Sequence, residues 1–270
     1  MSKIKVIALD LDGTLTNEQK IITPKTLDVL MRVQQKGVRL VLASGRPPYG
    51  MRPLAAQLDM SRYGGILLCY NGGHVEDCTT GEVFVEQTLD ESMLPLLTDC
   101  QKASGMTLMT YYEDSIYTEH PDDPYVAISS RNNKMSVVGM RDFLTDVPHP
   151  VNKCLMVGAP DKVSVWEERI KSIAGNKLYV CHSTPYFIEL LPPGIDKGPS
   201  LDRLMHSLGM DTTQLMAFGD SYNDIGMIKA AGIGVAMSNA EQAVKDVADY
   251  VTLSNEEDGV GDAIEKLLHI

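Results

Sequence analysis

The sequence predicts an α/β protein: a doubly wound, Rossmann-like parallel sheet forming a core domain, with an α+β domain inserted into it. Three observations carry that prediction. Short, largely apolar runs at residues 4–9, 38–43 and 66–70 alternate with helix-patterned stretches. Continuous apolar strands of this kind belong to parallel sheets covered on both faces. Each run closes on a polar or glycine-containing cluster, and open α/β sheets carry their sites at the carboxyl ends of the strands. The alternation stops after residue 84 and resumes at Leu191-Pro192-Pro193-Gly194. The core therefore takes residues 1–84 and 191–270, and the insert residues 85–190, both within normal domain size.

In order, residues 4–9 form the first buried strand. Thr23 caps a helix that Pro24 opens. Leu27, Leu30, Met31 and Gln34 follow at helical spacing, and Gly37 ends it. Residues 38–43 are the second strand, closing on Ser44-Gly45-Arg46, and a helix follows over 49–58. Residues 66–70 are the third strand, closing on Asn71-Gly72-Gly73. Strands at 75–76 and 83–86 flank Thr80-Gly81 as a hairpin. The insert sets helices over 91–103 and 162–174 among strands at 106–111, 115–117, 153–157, 178–181 and 187–190. Val163, Trp166 and Ile170 share one side of its second helix. Residues 113–150, rich in Pro, Asp and Asn, give little further pattern. The core returns with a helix over 199–208, ended by Gly209. A strand over 214–218 closes on Gly219-Asp220-Ser221-Tyr222-Asn223-Asp224. Strands at 234–237 and 250–252 follow, separated by a helix over 241–247, and a last helix spans 261–268.

A chain of 270 residues with 44% hydrophobic content can bury a large core. Its net charge of -12 repels phosphate backbones, so nucleic acid is not an expected partner. An anionic substrate needs a local cation to overcome the same field. The five cysteines form no CxxC pair and suggest neither a zinc site nor a disulfide framework. Free thiols in a reducing cytoplasm are the expectation. The run after Met1 ends at Asp10, too short for a signal peptide, and no stretch approaches a membrane span.

The chemistry concentrates in four clusters: Asp10/Asp12, Ser44, Lys197, and Asp220 with Asn223 and Asp224. Asp10-Leu11-Asp12-Gly13-Thr14 alone is equally a tight turn. It is not an EF-hand loop, because Gly stands fourth and the twelfth residue is Ile21. Ser44-Gly45 alone reads as a loop and cap, Lys197 as a solvated turn, and Asp220–Asp224 as helix-start acids. Their joint occurrence in this order along one α/β pattern argues for a shared site. Two carboxylates about 4 Å apart repel by about 4 kcal/mol at an effective dielectric of about 20, which a Mg²⁺ ion and Lys197 would offset. Asp10, Asp220 and a backbone carbonyl suit the oxygen-rich Mg²⁺ shell. Ser44 and Lys197 suit phosphate oxygens, and a carboxylate nucleophile gives an aspartyl-phosphate. No GxxxxGK or HExxH motif competes. Gly232-Ile233-Gly234 lacks the rest of a dinucleotide fingerprint.

The quartet resembles the four motifs of the haloacid dehalogenase superfamily of phosphohydrolases. The insert between the second and third motifs resembles a type C2 cap. Tyr70-Asn71-Gly72, Gly234-Val235-Ala236-Met237-Ser238-Asn239-Ala240 and Glu257-Asp258-Gly259-Val260 are similar to Cof-type sugar phosphatases. The resemblance implies Asp10 as nucleophile and Asp12 as general acid, then base. It implies Mg²⁺ on Asp10, the Asp12 backbone carbonyl and Asp220, with Asp224 and Asn223 behind them. Ser44, Gly45 and Lys197 would hold the phosphoryl group, and Arg46, Asn71, Gly72 and Glu189 would approach the substrate. For Asn71-Gly72 a plain turn stands equally, and for Glu189 a solvated or interstrand role is the stronger reading. The expected activity is a Mg²⁺-dependent phosphatase of small phosphorylated metabolites, sugar phosphates foremost. The alternatives are a phosphomutase or phosphotransferase using the same aspartyl-phosphate, and a catalytically silent metabolite-binding regulator.

Overall fold

The computed structural model describes residues 3–270; Met1 and Ser2, the start of the expected core segment, lie outside the described residues. The strands are β1 (Val6–Leu9), β2 (Arg39–Ala43), β3 (Ile66–Cys69), β4 (His74–Asp77), β5 (Val83–Glu86), β6 (Thr107–Tyr112), β7 (Ser115–Thr118), β8 (Ser136–Gly139), β9 (Cys154–Val157), β10 (Tyr179–Thr184), β11 (Phe187–Leu191), β12 (Leu215–Gly219), β13 (Ile233–Ala236) and β14 (Tyr250–Val251). They form an eight-stranded sheet in the order β14-β13-β12-β1-β2-β3-β4-β5 and a six-stranded sheet in the order β10-β11-β9-β6-β7-β8.

In the larger sheet, β14 through β3 are parallel, and β4 adds antiparallel to β3. This is the doubly wound α/β core, with the predicted hairpin at its edge. The inner strands β1, β3 and β12 are buried at every position, as expected of apolar runs covered on both faces. Thr23 caps the Pro24–Gln35 helix by accepting from the Thr26 N–H. That helix buries Val29, Leu30 and Val33, whereas Leu27 and Met31 are only half-buried. Of the four expected positions Leu30 and Gln34 are thus buried, and the buried face extends to Val29 and Val33 in place of Leu27 and Met31.

The chain divides into two compact units, one extending to Gly45 and including Met51–Val85 and Asp196–Ile270, the other comprising Arg46–Gly50 and Glu86–Ile195. The second unit holds the six-stranded sheet, antiparallel except for β7 beside β8. Its core joins Leu97, Leu108, Phe143, Met156, Ile170 and Ile188. The poorly patterned stretch contains the Pro124–Asn133 and Phe143–Asp146 helices and β8, beyond the strand that was expected. Among the described residues, no helix is long and apolar enough to cross a membrane.

Candidate active site

β1 and β12 are neighbours where the strand order reverses: the chain winds outward through β2 and β3 on one side and through β13 and β14 on the other. Ligands of open α/β sheets bind beyond the carboxyl ends of the strands at such a reversal. Leu9 pairs with Phe218, and the Asp10 N–H donates to the Phe218 carbonyl at 3.1 Å. The register therefore delivers Asp10 and Asp220 side by side. The Thr14 hydroxyl donates to Asp220 Oδ1 at 2.7 Å across 206 residues of sequence. Gly13 makes that approach possible: its φ is +88°, and a Cβ there would lie 2.4 Å from Asp220 Oδ2.

Lys197 comes from a third element. Asp196 caps the Lys197–Ser207 helix by accepting from the Gly198 N–H at 2.7 Å. The helix thus begins two residues before the expected start at Pro199, and Lys197 is its first residue. A Cβ on Gly198 would meet the Gly226 carbonyl carbon at 2.5 Å, so glycine lets this helix end lie against the Ile225–Ala230 helix. Lys197 is 0% exposed. Its Nζ donates to Asp10 Oδ1 at 2.7 Å and to Asp224 Oδ1 at 2.6 Å. Asp224 Oδ2 accepts the N–H groups of Asp220 and Ser221, both at 3.0 Å.

Asp10, Asp220 and Asp224 each bring a carboxylate oxygen within 4.8 Å of the others. Burial, then the charge of Asp224, holds the Asp10 carboxyl well above the usual carboxylate range, against the pull of Lys197. Burial likewise pushes Asp220 up to about 6, opposed by the Thr14 hydrogen bond and reinforced by Asp224. Burial alone would lower the Lys197 ammonium, but Asp10 and Asp224 outweigh it and raise its pKa. With all three ionised, the carboxylates around this one ammonium leave two negative charges unmatched, which, after burial, is what raises Asp10 and Asp220. Hard oxygen donors with that excess fit a divalent cation.

The remaining predicted residues fall into two groups. Ser44, directly after β2, is buried, and its carbonyl accepts the Asn71 N–H at 2.9 Å. Asn223 Nδ2 donates to Asn71 Oδ1 at 3.1 Å, and Ser200 Oγ to the Gly72 carbonyl at 3.4 Å. The Ser44-Gly45 and Asn71-Gly72 loops are thereby tied to the elements carrying Asp224 and Lys197. Asp12 stands apart from the buried acids, with 40% of its side chain exposed and Oδ1 2.8 Å from Lys20 Nζ. Arg46 and Glu189 group with the second unit. There Arg46 Nη1 donates to the Asn132 carbonyl at 3.1 Å, and Glu189 pairs with Lys153 at 2.8 Å. Sequence reasoning missed Thr14 and Lys20. Thr14 was findable as the hydroxyl closing the Asp-x-Asp-Gly-Thr run; Lys20, in a polar turn, carried no signal.

A sequence model of the haloacid dehalogenase-like hydrolases matches residues 7–264. With the site geometry, this makes the chain a member of that family, and its class is that of the phosphatases. A crystal structure of a haloacid dehalogenase-like hydrolase from Bacteroides thetaiotaomicron is 46% identical, with a TM-score of 0.95 over 98% of this chain and 99% of that one. A 5-amino-6-(5-phospho-D-ribitylamino)uracil phosphatase of Bacillus subtilis is 31% identical, the alignment spanning 97% of this chain and 94% of the relative. A pyridoxal phosphate phosphatase of Escherichia coli is 26% identical, over 96% and 97% respectively.

Proposed function

We propose that this protein is a Mg²⁺-dependent phosphatase of small phosphorylated metabolites, sugar phosphates foremost, working through an aspartyl-phosphate on Asp10. One observation carries the reading: Lys197 Nζ bridges Asp10 and Asp224 at 2.7 and 2.6 Å in a buried, acid-rich site at the sheet reversal. Relatives named for two small phosphorylated compounds support the substrate class.

In this mechanism Lys197 orients one Asp10 oxygen and leaves the other to attack phosphorus. Lys197 and Ser44, with the Gly45 backbone, hold the phosphoryl oxygens, where charge stabilisation matters most. Asp12 gives a proton to the leaving oxygen and later takes one from the water that opens the aspartyl-phosphate. Asp10, the Asp12 carbonyl and Asp220 would hold Mg²⁺, which when bound neutralises phosphoryl and carboxylate charge. Asp224 spends both oxygens on Lys197 and backbone N–H groups, which suits it to orient the site from behind; Asn223 does the same through Asn71. Asn71-Gly72 are the candidate substrate contacts of the core; the second unit is the proposed substrate-specificity cap and carries Arg46 and Glu189 as its own candidates. The five free thiols favour work in the cytoplasm.

The test is phosphate release from a panel of phosphorylated metabolites, with Mg²⁺ and with a chelator, alongside acid-quench trapping of the phosphoenzyme. Isomer formation from the same hexose phosphates separates a phosphomutase. Folded, Mg²⁺-supplemented protein that releases phosphate from no member would sink the proposal.

A further inference from the structure

We infer that Lys20 is a positioning residue that holds the Asp12 carboxyl in register for proton transfer to the leaving group. The inference rests on the proposed role of Asp12.

The observation is local and lies within one compact unit. Asp12 is the one acid of the sequence quartet outside the buried cluster, and 40% of its side chain is exposed. An exposed aspartate rotates among several rotamers unless something fixes it, whereas proton transfer needs hydrogen-bond reach of the leaving oxygen. Lys20 Nζ, 2.8 Å from Asp12 Oδ1, supplies one such contact, on a single carboxylate oxygen.

The loop is built to present that lysine. Lys20 has φ +61°, a left-handed conformation that lysine seldom adopts. The turn is closed by Lys20 N–H to the Asn17 carbonyl at 2.9 Å and by Ile21 N–H to Asn17 Oδ1 at 3.2 Å. The loop is also stitched to distant parts of the core. Asn239 Nδ2 donates to the Gly13 carbonyl at 2.8 Å, and Asn255 Nδ2 to the Thr16 carbonyl at 2.9 Å. These bonds fix residues 13–16, between Asp12 and the Asn17 turn that presents Lys20.

In the step concerned, an Asp10 oxygen forms its bond to phosphorus while the bond from phosphorus to the leaving oxygen breaks. The electron pair of that bond stays on the leaving oxygen and takes the Asp12 proton. A poor leaving group depends on that proton, and a good one does not. The experiment therefore compares kcat/KM, which reports phosphoryl transfer to the enzyme, for phenyl phosphate and 4-nitrophenyl phosphate in the full-length protein with Mg²⁺. Lys20→Met should lose about tenfold or more with phenyl phosphate, within the span of general-acid effects, and about twofold or less with 4-nitrophenyl phosphate. Lys20→Arg should recover most of the loss. Equal losses on both substrates, no loss on either, or no recovery with arginine would each overturn the inference. Asp12→Asn run in parallel separates the two claims. If it leaves the ratio of the two substrates unchanged, the general-acid reading of Asp12 fails first. If it shifts the ratio and Lys20→Met does not, only the role of Lys20 fails.

Discussion

Two buried lysines invite comparison. In the core, Lys197 lies among Asp10, Asp220 and Asp224, and carboxylates outnumber ammonium three to one. In the second unit, Lys153 meets Glu189 at 2.8 Å, with side chains 3% and 6% exposed, and within that pair the charges match. A matched buried pair is compatible with structure alone, whereas a surplus of buried charge is costly without a further partner. The difference teaches that burial of an ion pair is not by itself a mark of chemistry; the imbalance is.

The comparison can be broken most directly at Asp10. Asp10→Asn is expected to lower turnover by about 10⁵ or more, on the scale seen for removal of a catalytic nucleophile, with the circular dichroism spectrum unchanged. Turnover at the wild-type level would end the assignment.

Next in size are the two lysines themselves. Lys197→Met should cost at least about 10³ in kcat/KM, since it removes both the orienting contact to Asp10 and a phosphate ligand. Lys153→Met should lower unfolding free energy by about 3 kcal/mol, because buried Glu189 loses the ammonium it meets at 2.8 Å. It should leave the Mg²⁺-induced rise in melting temperature intact. Loss of that rise in Lys153→Met would contradict the contrast between the two clusters.

The rise itself is the third measurement. Mg²⁺ at about 100 times its Kd should stabilise the wild type by about 2.7 kcal/mol, and Asp220→Asn should abolish most of the effect in calorimetry.

The smallest expected effect is a pH slope. The folded value of Asp220 is raised to about 6 from 3.8. A raised carboxylate contributes stability that is whole below its unfolded value and is lost as pH rises through its folded value. Metal-free wild type should therefore lose melting temperature relative to Asp220→Asn between about pH 4 and about pH 6. Saturating Mg²⁺ should flatten the difference. A difference that grows as pH falls over that window would reverse the assignment.

The core was readable because its signals are short-range and redundant. β1, β2, β3 and β12 are apolar runs that end on the residues of the site, and one strand register then explains how Asp10 and Asp220 meet. The start of the Lys197–Ser207 helix was misplaced because Pro199 is the louder marker, while the Asp196 cap takes effect two residues earlier. Residues 113–150 were opaque for a physical reason: β8 has three exposed positions in four and buries too little to show alternation. The Pro124–Asn133 helix had its Asp-Pro start, but its interior, Ser129-Ser130-Arg131-Asn132-Asn133, is polar. The Lys20–Asp12 pair was invisible because Lys20 sits in a polar turn closed locally by Asn17, and only the folded loop brings it back to Asp12.

The parting of β1 from β12 along the chain also bears on biogenesis. As the polypeptide leaves the ribosome, β2 becomes available to one flank of β1 early, while the other flank waits for β12. That wait spans roughly two hundred residues, or about 10–40 s at about 5–20 residues per second. Throughout it the nascent β1 offers an open hydrogen-bonding edge of the kind that recruits stray strands. The two halves of one centre thus stand far apart in translation order, and that edge stays open for the whole interval.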